Sequence, residues 1–193
     1  MLPVEPAERE NAIMSDIEYE AKVLGIDPDQ LAQHLIDKGG TDLGQVLQRR
    51  YVYDIDPADP SRWMRLRDTG TQATLCVKEI GSDAIGGTRE TETVVGDFET
   101  TNELLGRLGY TPKAYQENRR HSFTLDGAQV EIDSWPHIPA YVEIEATSQA
   151  EVVRIAALIG YAETDLTGEN TTKVYARYGI DLSTLRELRF DQR

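Results

Sequence analysis

Charge alternates with less polar residues in segment after segment of this chain, and the charge types are sorted. Glu18, Glu20 and Lys22 stand two residues apart around Tyr19 and Ala21. Arg65 and Arg67 flank Leu66, and Lys78 follows Thr74 and Cys76 at the same step. Glu90 and Glu92 flank Thr91, Glu131 and Asp133 flank Ile132, and Glu143 and Glu145 flank Ile144. Side chains two residues apart share one face of a β-strand. An antiparallel sheet with one solvated face also alternates, but its wet face mixes Thr, Ser, Lys and Glu loosely. Paired carboxylates on neighbouring strands repel unless something cationic sits between them. Mg²⁺ and Mn²⁺ are hard cations that take oxygen ligands, and Arg and Lys grip phosphate oxygens. A face carrying both sets fits a metal–polyphosphate complex. Its apolar reverse must then be covered by helices, which inverts the common small barrel with an apolar interior.

Composition narrows the rest. The chain has 193 residues, enough for one domain with a sizeable core. With 34 Asp+Glu against 20 Lys+Arg the net charge is −14, which argues against a nucleic-acid binder and against docking on an anionic membrane. A hydrophobic fraction of 39% is too high for a disordered chain. The longest strongly apolar stretch, Ile155–Ile159, is far too short to span a bilayer. Residues 1–14 lack a basic start followed by an apolar run, so they do not read as a secretory signal. With Met14 as a second start, they are expected to form a flexible N-terminal extension ahead of one domain over 15–193. The single cysteine, Cys76, excludes an intrachain disulfide and fits a reducing, cytoplasmic setting.

Periodicity predicts an α+β domain of about eight strands, mostly antiparallel, with a few helices. Strands are expected over 17–23, 45–54, 62–67, 72–80, 88–95, 119–125, 129–134 and 141–146. Asp27-Pro28 and the Ser148-x-x-Glu151 spacing each open a helix. Further helices are expected over 99–108 and 171–178, with a last turn near 183–188. Asp126-Gly127 marks a hairpin. Gly81–Gly87 has the glycine spacing of a P-loop but lacks its Lys-Ser/Thr, so it reads as a connecting loop. His34, His121 and His137 show no ligand spacing.

The ordered charge set resembles the CYTH superfamily, the triphosphate tunnel metalloenzymes. Glu18-Tyr19-Glu20-Ala21-Lys22 resembles the E-x-E-x-K signature, Arg65-Leu66-Arg67 the R-x-R strand, and Lys78 the lysine of the next strand. Glu90-Thr91-Glu92 resembles the following E-x-E, and Arg119-Arg120 holds the place of a family arginine, with Arg120 preferred. Glu131-Ile132-Asp133 and Glu143-Ile144-Glu145 resemble the late acidic pairs, and Lys173 the C-terminal lysine. The likeness runs over about residues 15–180 and is strongest from Asp133-Ser134-Trp135-Pro136 to Glu145.

The resemblance implies an eight-stranded antiparallel closed β-barrel, a tunnel charged inside and braced outside by helices, and a need for Mg²⁺ or Mn²⁺. Carried over by position, Glu18, Glu20, Asp133, Glu143 and Glu145 would hold metal. Lys22, Arg65, Arg67, Lys78, Arg120 and Lys173 would grip the triphosphate. Lys22, Lys78 and Glu92 are the expected catalytic group, Lys22 as a base if burial lowers its pKa and Glu92 in a supporting acidic role. Glu90, Glu131, Arg119 and Trp63 are additional site residues, Trp63 as a platform for an organic ring. The expected activity is hydrolysis of tripolyphosphate or of an organic triphosphate such as thiamine or nucleoside triphosphate. Class IV adenylyl cyclase is the alternative, lowered by the absence of His-Phe ahead of the signature; Asn11-Ala12-Ile13-Met14 stands there instead. A non-catalytic triphosphate-binding module is the second; it should keep the cations and could lose the metal carboxylates, and the presence of both sets favours an enzyme. The implied partners are a small-molecule triphosphate and, since family members dimerise, a second copy in a homodimer.

The net charge also partitions. The strand carboxylates Glu18, Glu20, Glu90, Glu92, Glu131, Asp133, Glu143 and Glu145 match in number Lys22, Arg65, Arg67, Lys78, Arg89, Arg119, Arg120 and Lys173. The rest of the chain then carries the whole −14, so the acidity describes the outer shell. Not all sixteen need face inward, and strand parity argues against Arg89 and Arg119.

Overall fold

The computed structural model describes residues 15–191. The expected N-terminal extension, residues 1–14, lies outside them. The strands are β1 (Ser15–Leu24), β2 (Thr41–Asp54), β3 (Arg62–Asp68), β4 (Ala73–Ile80), β5 (Thr88–Val95), β6 (Ala114–Leu125), β7 (Ala128–Ser134), β8 (Tyr141–Ala146) and β9 (Glu187–Leu188). The helices are α1 (Pro28–Asp37), α2 (Phe98–Arg107), α3 (Gln149–Leu158) and α4 (Thr171–Arg177). Short 3-10 turns lie at Glu163–Asp165 and Leu182–Thr184.

Eight strands pair in the order β2-β3-β4-β5-β1-β8-β7-β6, and β6 returns to β2, closing an antiparallel barrel. The two-residue β9 adds a parallel ninth strand on β6. Two elements run longer than the sequence predicts: β2 begins at Thr41, and β6 begins at Ala114. β2 and β6 pair from Thr41↔Thr124 to Val52↔Ala114, each extension lying against the predicted part of the other strand, and this forms the closing seam. The hairpin between β6 and β7 turns through Asp126 at φ 48° and Gly127 at φ 87°, the doubly positive pair that a two-residue loop needs.

The apolar core lies outside the barrel wall, as the inverted pattern requires. Ala21, Val23, Phe123, Val130, Ile132, Val142 and Ile144 face outward and are buried by Leu31 and Leu35 of α1 and Val152, Ile155 and Ala156 of α3. α1 starts where the Asp27 carboxylate accepts from the backbone N–H groups of Asp29 and Gln30, with Pro28 in its first turn. α3 starts where the Ser148 hydroxyl accepts from the N–H of Glu151. α2 covers the other wall, packing Phe98 and Leu105 on Tyr53, Met64 and Leu66. At the end of the barrel where β7 leaves and β8 enters, Trp135 and Tyr141 pack against Val174 and Tyr175 of α4 and against Leu182 and Leu188. The Tyr175 hydroxyl donates to the Pro136 carbonyl at 2.7 Å, fastening α4 across that end.

Candidate active site: a charged tunnel

Inside the barrel lies a cavity of about 1080 Å³ whose lining includes Glu18, Glu20, Lys22, Arg65, Arg67, Lys78, Glu90, Glu92, Arg120, Glu131, Glu143 and Glu145. Strand parity puts them there. Lys22 sits opposite Glu143, and Glu20 opposite Glu145, across β1–β8. Lys78 sits opposite Glu90 across β4–β5, and Arg120 opposite Asp133 across β6–β7.

The charges interlock in two groups. On one wall, Lys78 bridges Glu18 at 2.8 Å and Glu90 at 2.6 Å, while Arg65 reaches Glu90 at 2.7 Å and Glu92 at 3.2 Å. Arg67 shares Glu92 at 3.2 Å, and the Thr74 hydroxyl donates to the same carboxylate at 3.1 Å. On the other wall, Lys22 is buried between Glu20 at 3.2 Å and Glu143 at 2.9 Å. Arg120 pairs with Glu131, with Asp133 at 2.6 Å and with Glu143 at 3.1 Å.

Proton affinities follow from this crowding. Burial, a hydrogen bond to Glu90 and the charges of Glu20 and Glu90 push Glu18 up to about 8, against the pull of Lys78. Burial and the neighbouring Glu143, Glu20 and Glu131 push Glu145 up to about 7. Glu90 and Glu143, although buried, are held well below the usual carboxylate range by the cations beside them, Arg65 and Lys78 for the first, Lys22 and Arg120 for the second. Burial alone would lower Lys22, but Glu143 and Glu20 outweigh it and raise the ammonium well above its ordinary value. Lys22 is therefore a fixed cation in this arrangement, and the lowered pKa on which a role as base is conditional is not found. Burial lifts the Cys76 thiol to about 11.

Asp133 is fully buried, and both of its oxygens are engaged. Oδ1 accepts from Asn118 Nδ2 at 2.6 Å and from Arg120 Nε at 3.0 Å, while Oδ2 accepts from Arg120 at 2.6 Å. In this geometry it orients Arg120. Lys173 stands at the edge of the tunnel lining, half exposed, with its ammonium on Asp83 at 2.6 Å. The loop bearing Asp83 packs directly on Gly168, where a Cβ would come within 2.4 Å of the Asp83 carbonyl oxygen. Trp63 lines the cavity opposite Lys78. Arg119, expected as an additional site residue, instead points out of the barrel and stacks on Phe190 at 4.0 Å, and Arg89 is exposed, in line with the parity argument against both.

Sequence reading misses one cluster. Gln48 and Arg50 of β2 face inward with Gln116 and Asn118 of β6, and all four are buried. Gln48-x-Arg50 carries the same two-residue step, but the adjacent Arg49 hides it.

The lining supplies oxygen donors of the kind that a divalent ion takes. Glu18, Glu20, Glu143 and Glu145 bring four carboxylates to adjoining positions of β1 and β8, and burial together with like-charged neighbours raises the proton affinity of Glu18 and Glu145. Among the described residues, Cys76, Glu90 and Glu92 are the group whose ligand atoms lie within 4.8 Å of one another; cations pair with carboxylates in both places, Arg65 and Lys78 here, and Lys78, Lys22 and Arg120 at β1 and β8.

A family model for the CYTH domain matches residues 16–168. Solved structures share the fold. A conserved hypothetical protein from Pyrococcus furiosus is 23% identical, over 80% of this chain and 97% of its own, with a TM-score of 0.68. A candidate adenylate cyclase from Vibrio parahaemolyticus is 14% identical, over 84% of this chain and 99% of its own, with a TM-score of 0.69. A candidate adenylyl cyclase from Hippeastrum, whose structure was described as revealing a dominant triphosphatase activity, is 18% identical, over 84% of this chain and 96% of its own, with a TM-score of 0.57. Comparison with curated proteins returns no significant match. Among the described residues no helix is long and apolar enough to cross a membrane.

Proposed function

The chain belongs to the CYTH family, which includes triphosphatases and class IV adenylyl cyclases, and from that premise we propose that it is a divalent-metal-dependent triphosphatase. Its substrate is inorganic tripolyphosphate or an organic triphosphate. The observation that carries this reading is the tunnel itself, in which carboxylates and phosphate-gripping cations share one cavity. Carboxylates on β1 and β8 beside those cations favour an enzyme over a binding module that keeps the cations alone.

The residues divide the work. Arg65, Arg67, Lys78 and Arg120 align the phosphoryl chain along the tunnel, Lys22 adds fixed positive charge, and Lys173 joins from the edge by leaving Asp83. Glu18, Glu20, Glu143 and Glu145 hold the metal, Mg²⁺ or Mn²⁺; Glu92 positions Arg65 and Arg67, and Asp133 positions Arg120. A divalent ion bound there neutralises charge on the phosphoryl oxygens. Phosphoryl transfer asks for positioning and charge stabilisation more than covalent help, and a tunnel walled by interlocked ion pairs is pre-set for both. Trp63 at the lining offers a flat face for an organic substituent.

Incubation with tripolyphosphate, thiamine triphosphate and ATP, each with Mg²⁺ or Mn²⁺, separates the readings. Orthophosphate release supports the triphosphatase. Cyclic AMP from ATP moves the chain to the cyclase branch, and tight binding without turnover makes it a sensor.

A further inference from the structure

Arg50 is a buried tunnel cation with no carboxylate partner among the described residues. Its guanidinium donates only to the side-chain oxygens of Gln48, at 3.3 Å, and Asn118, both neutral. Its Cζ lies over the Trp135 ring, 4.7 Å from the centroid. Directly across the β2–β3 ladder stands Arg67, on the same inward face. Like charges directly opposite on a sheet destabilise it. Arg67 gains little relief, because its one carboxylate, Glu92, is shared with Arg65 and lies toward solvent. The Nε–H groups of Arg50, Arg65 and Arg67 are all buried without an acceptor. Burial and the neighbouring Arg65, Arg67 and Arg120 push Arg50 down to about 9 against the pull of Asp133, which does not touch it, and Arg65, burial and Arg120 also lower Arg67. A buried charge without a counter-charge is costly. The arrangement is completed by an anion entering from the tunnel, and Arg50 is already oriented for one by Trp135, Gln48 and Asn118.

We propose that Arg50 and Arg67 form a two-guanidinium clamp for one phosphoryl group of a polyphosphate chain, making Arg50 a substrate-binding residue of the tunnel. Guanidinium forks match phosphate oxygens in pairs. The clamp rests on the triphosphate reading above and adds to it a residue that the charge pattern of the sequence does not reveal.

The test uses the full chain and sodium tripolyphosphate, by calorimetric titration and thermal melting, in EDTA and again in Mg²⁺. Arg50→Gln should bind roughly 10- to 100-fold more weakly than the wild type, with Arg50→Lys between them because it keeps the charge and loses the fork. Without ligand, Arg50→Gln should melt at or above the wild-type temperature, since a like charge has left the interior. A folded Arg50→Gln with wild-type affinity overturns the clamp and leaves the triphosphate reading standing. A ligand-free Arg50→Gln that melts well below the wild type marks a structural residue and likewise overturns it. A wild-type chain that takes up no tripolyphosphate in either condition overturns both.

Discussion

Replacing Glu18 by Gln should stabilise the metal-free protein at alkaline pH while abolishing metal-dependent turnover. The wild-type carboxyl sits at about 8 in the fold against an ordinary 4.5. A carboxyl raised on folding contributes stability that is fully present below its unfolded value and is lost as pH rises through the folded one. At about 1.4 kcal/mol per pKa unit, the metal-free wild type at pH 8 has lost about 4 kcal/mol relative to acid. Glutamine has no proton to lose, and Lys78 keeps Glu90 at 2.6 Å as its partner. In EDTA at pH 8, Glu18→Gln should therefore melt roughly 8–16 °C above the wild type, and the gap should close toward pH 5. Glu145, at about 7, acts with the same sign and stays in the variant, so the slope is reduced and not erased. Glu90 and Glu143 act with the opposite sign, but their depressed pKa values confine that effect below the ordinary carboxylate range. Differential scanning calorimetry across pH 5–9 reads the effect. A variant melting at or below the wild type at pH 8, or a gap independent of pH, refutes the reasoning; unchanged turnover in the folded variant refutes the role of Glu18 in holding metal.

Asp133→Asn should cost about 3–5 kcal/mol of stability even in EDTA, because a buried amide cannot satisfy both Arg120 and Asn118; an unchanged urea midpoint would instead make Asp133 a ligand that matters only with metal. Ile155→Ala, in the core outside the barrel wall, should lose about 2–5 kcal/mol by urea denaturation yet bind tripolyphosphate as tightly as the wild type; weakened binding would show that the outer core sets the tunnel's shape. Mg²⁺ at pH 8 should raise the wild-type melting temperature and flatten its pH slope; a slope unaffected by Mg²⁺ would place the metal elsewhere.

The charged faces are legible in the sequence because side-chain parity survives in any strand, whatever its twist. Glu131 and Asp133 point the same way as soon as residues 129–134 are a strand. The same rule argues against an inward Arg119 and Arg89, and both are exposed, although the resemblance offers Arg119 as a site residue. Closure of the barrel is harder to read. The first part of β6, Ala114-Tyr115-Gln116-Glu117-Asn118, is poor in β-branched residues. It is a strand because β2 pairs with it across the seam, a contact that no local pattern encodes. Gln48, Arg50, Gln116 and Asn118 lie on that seam, which is why this part of the site is hidden while the rest is visible. The Lys173–Asp83 contact is likewise invisible, since it depends on the close approach of the Asp83 loop to Gly168. β9 pairs through only two residues, too few for a periodic signal.

Crystals grown with tripolyphosphate and Mn²⁺ test the central claim most directly, through the anomalous signal of the metal. The account predicts a manganese peak among Glu18, Glu20, Glu143 and Glu145, with the phosphoryl chain in the barrel against Arg65, Arg67, Lys78 and Arg120. Manganese at Cys76, Glu90 and Glu92, or tripolyphosphate bound only outside the barrel, would contradict it.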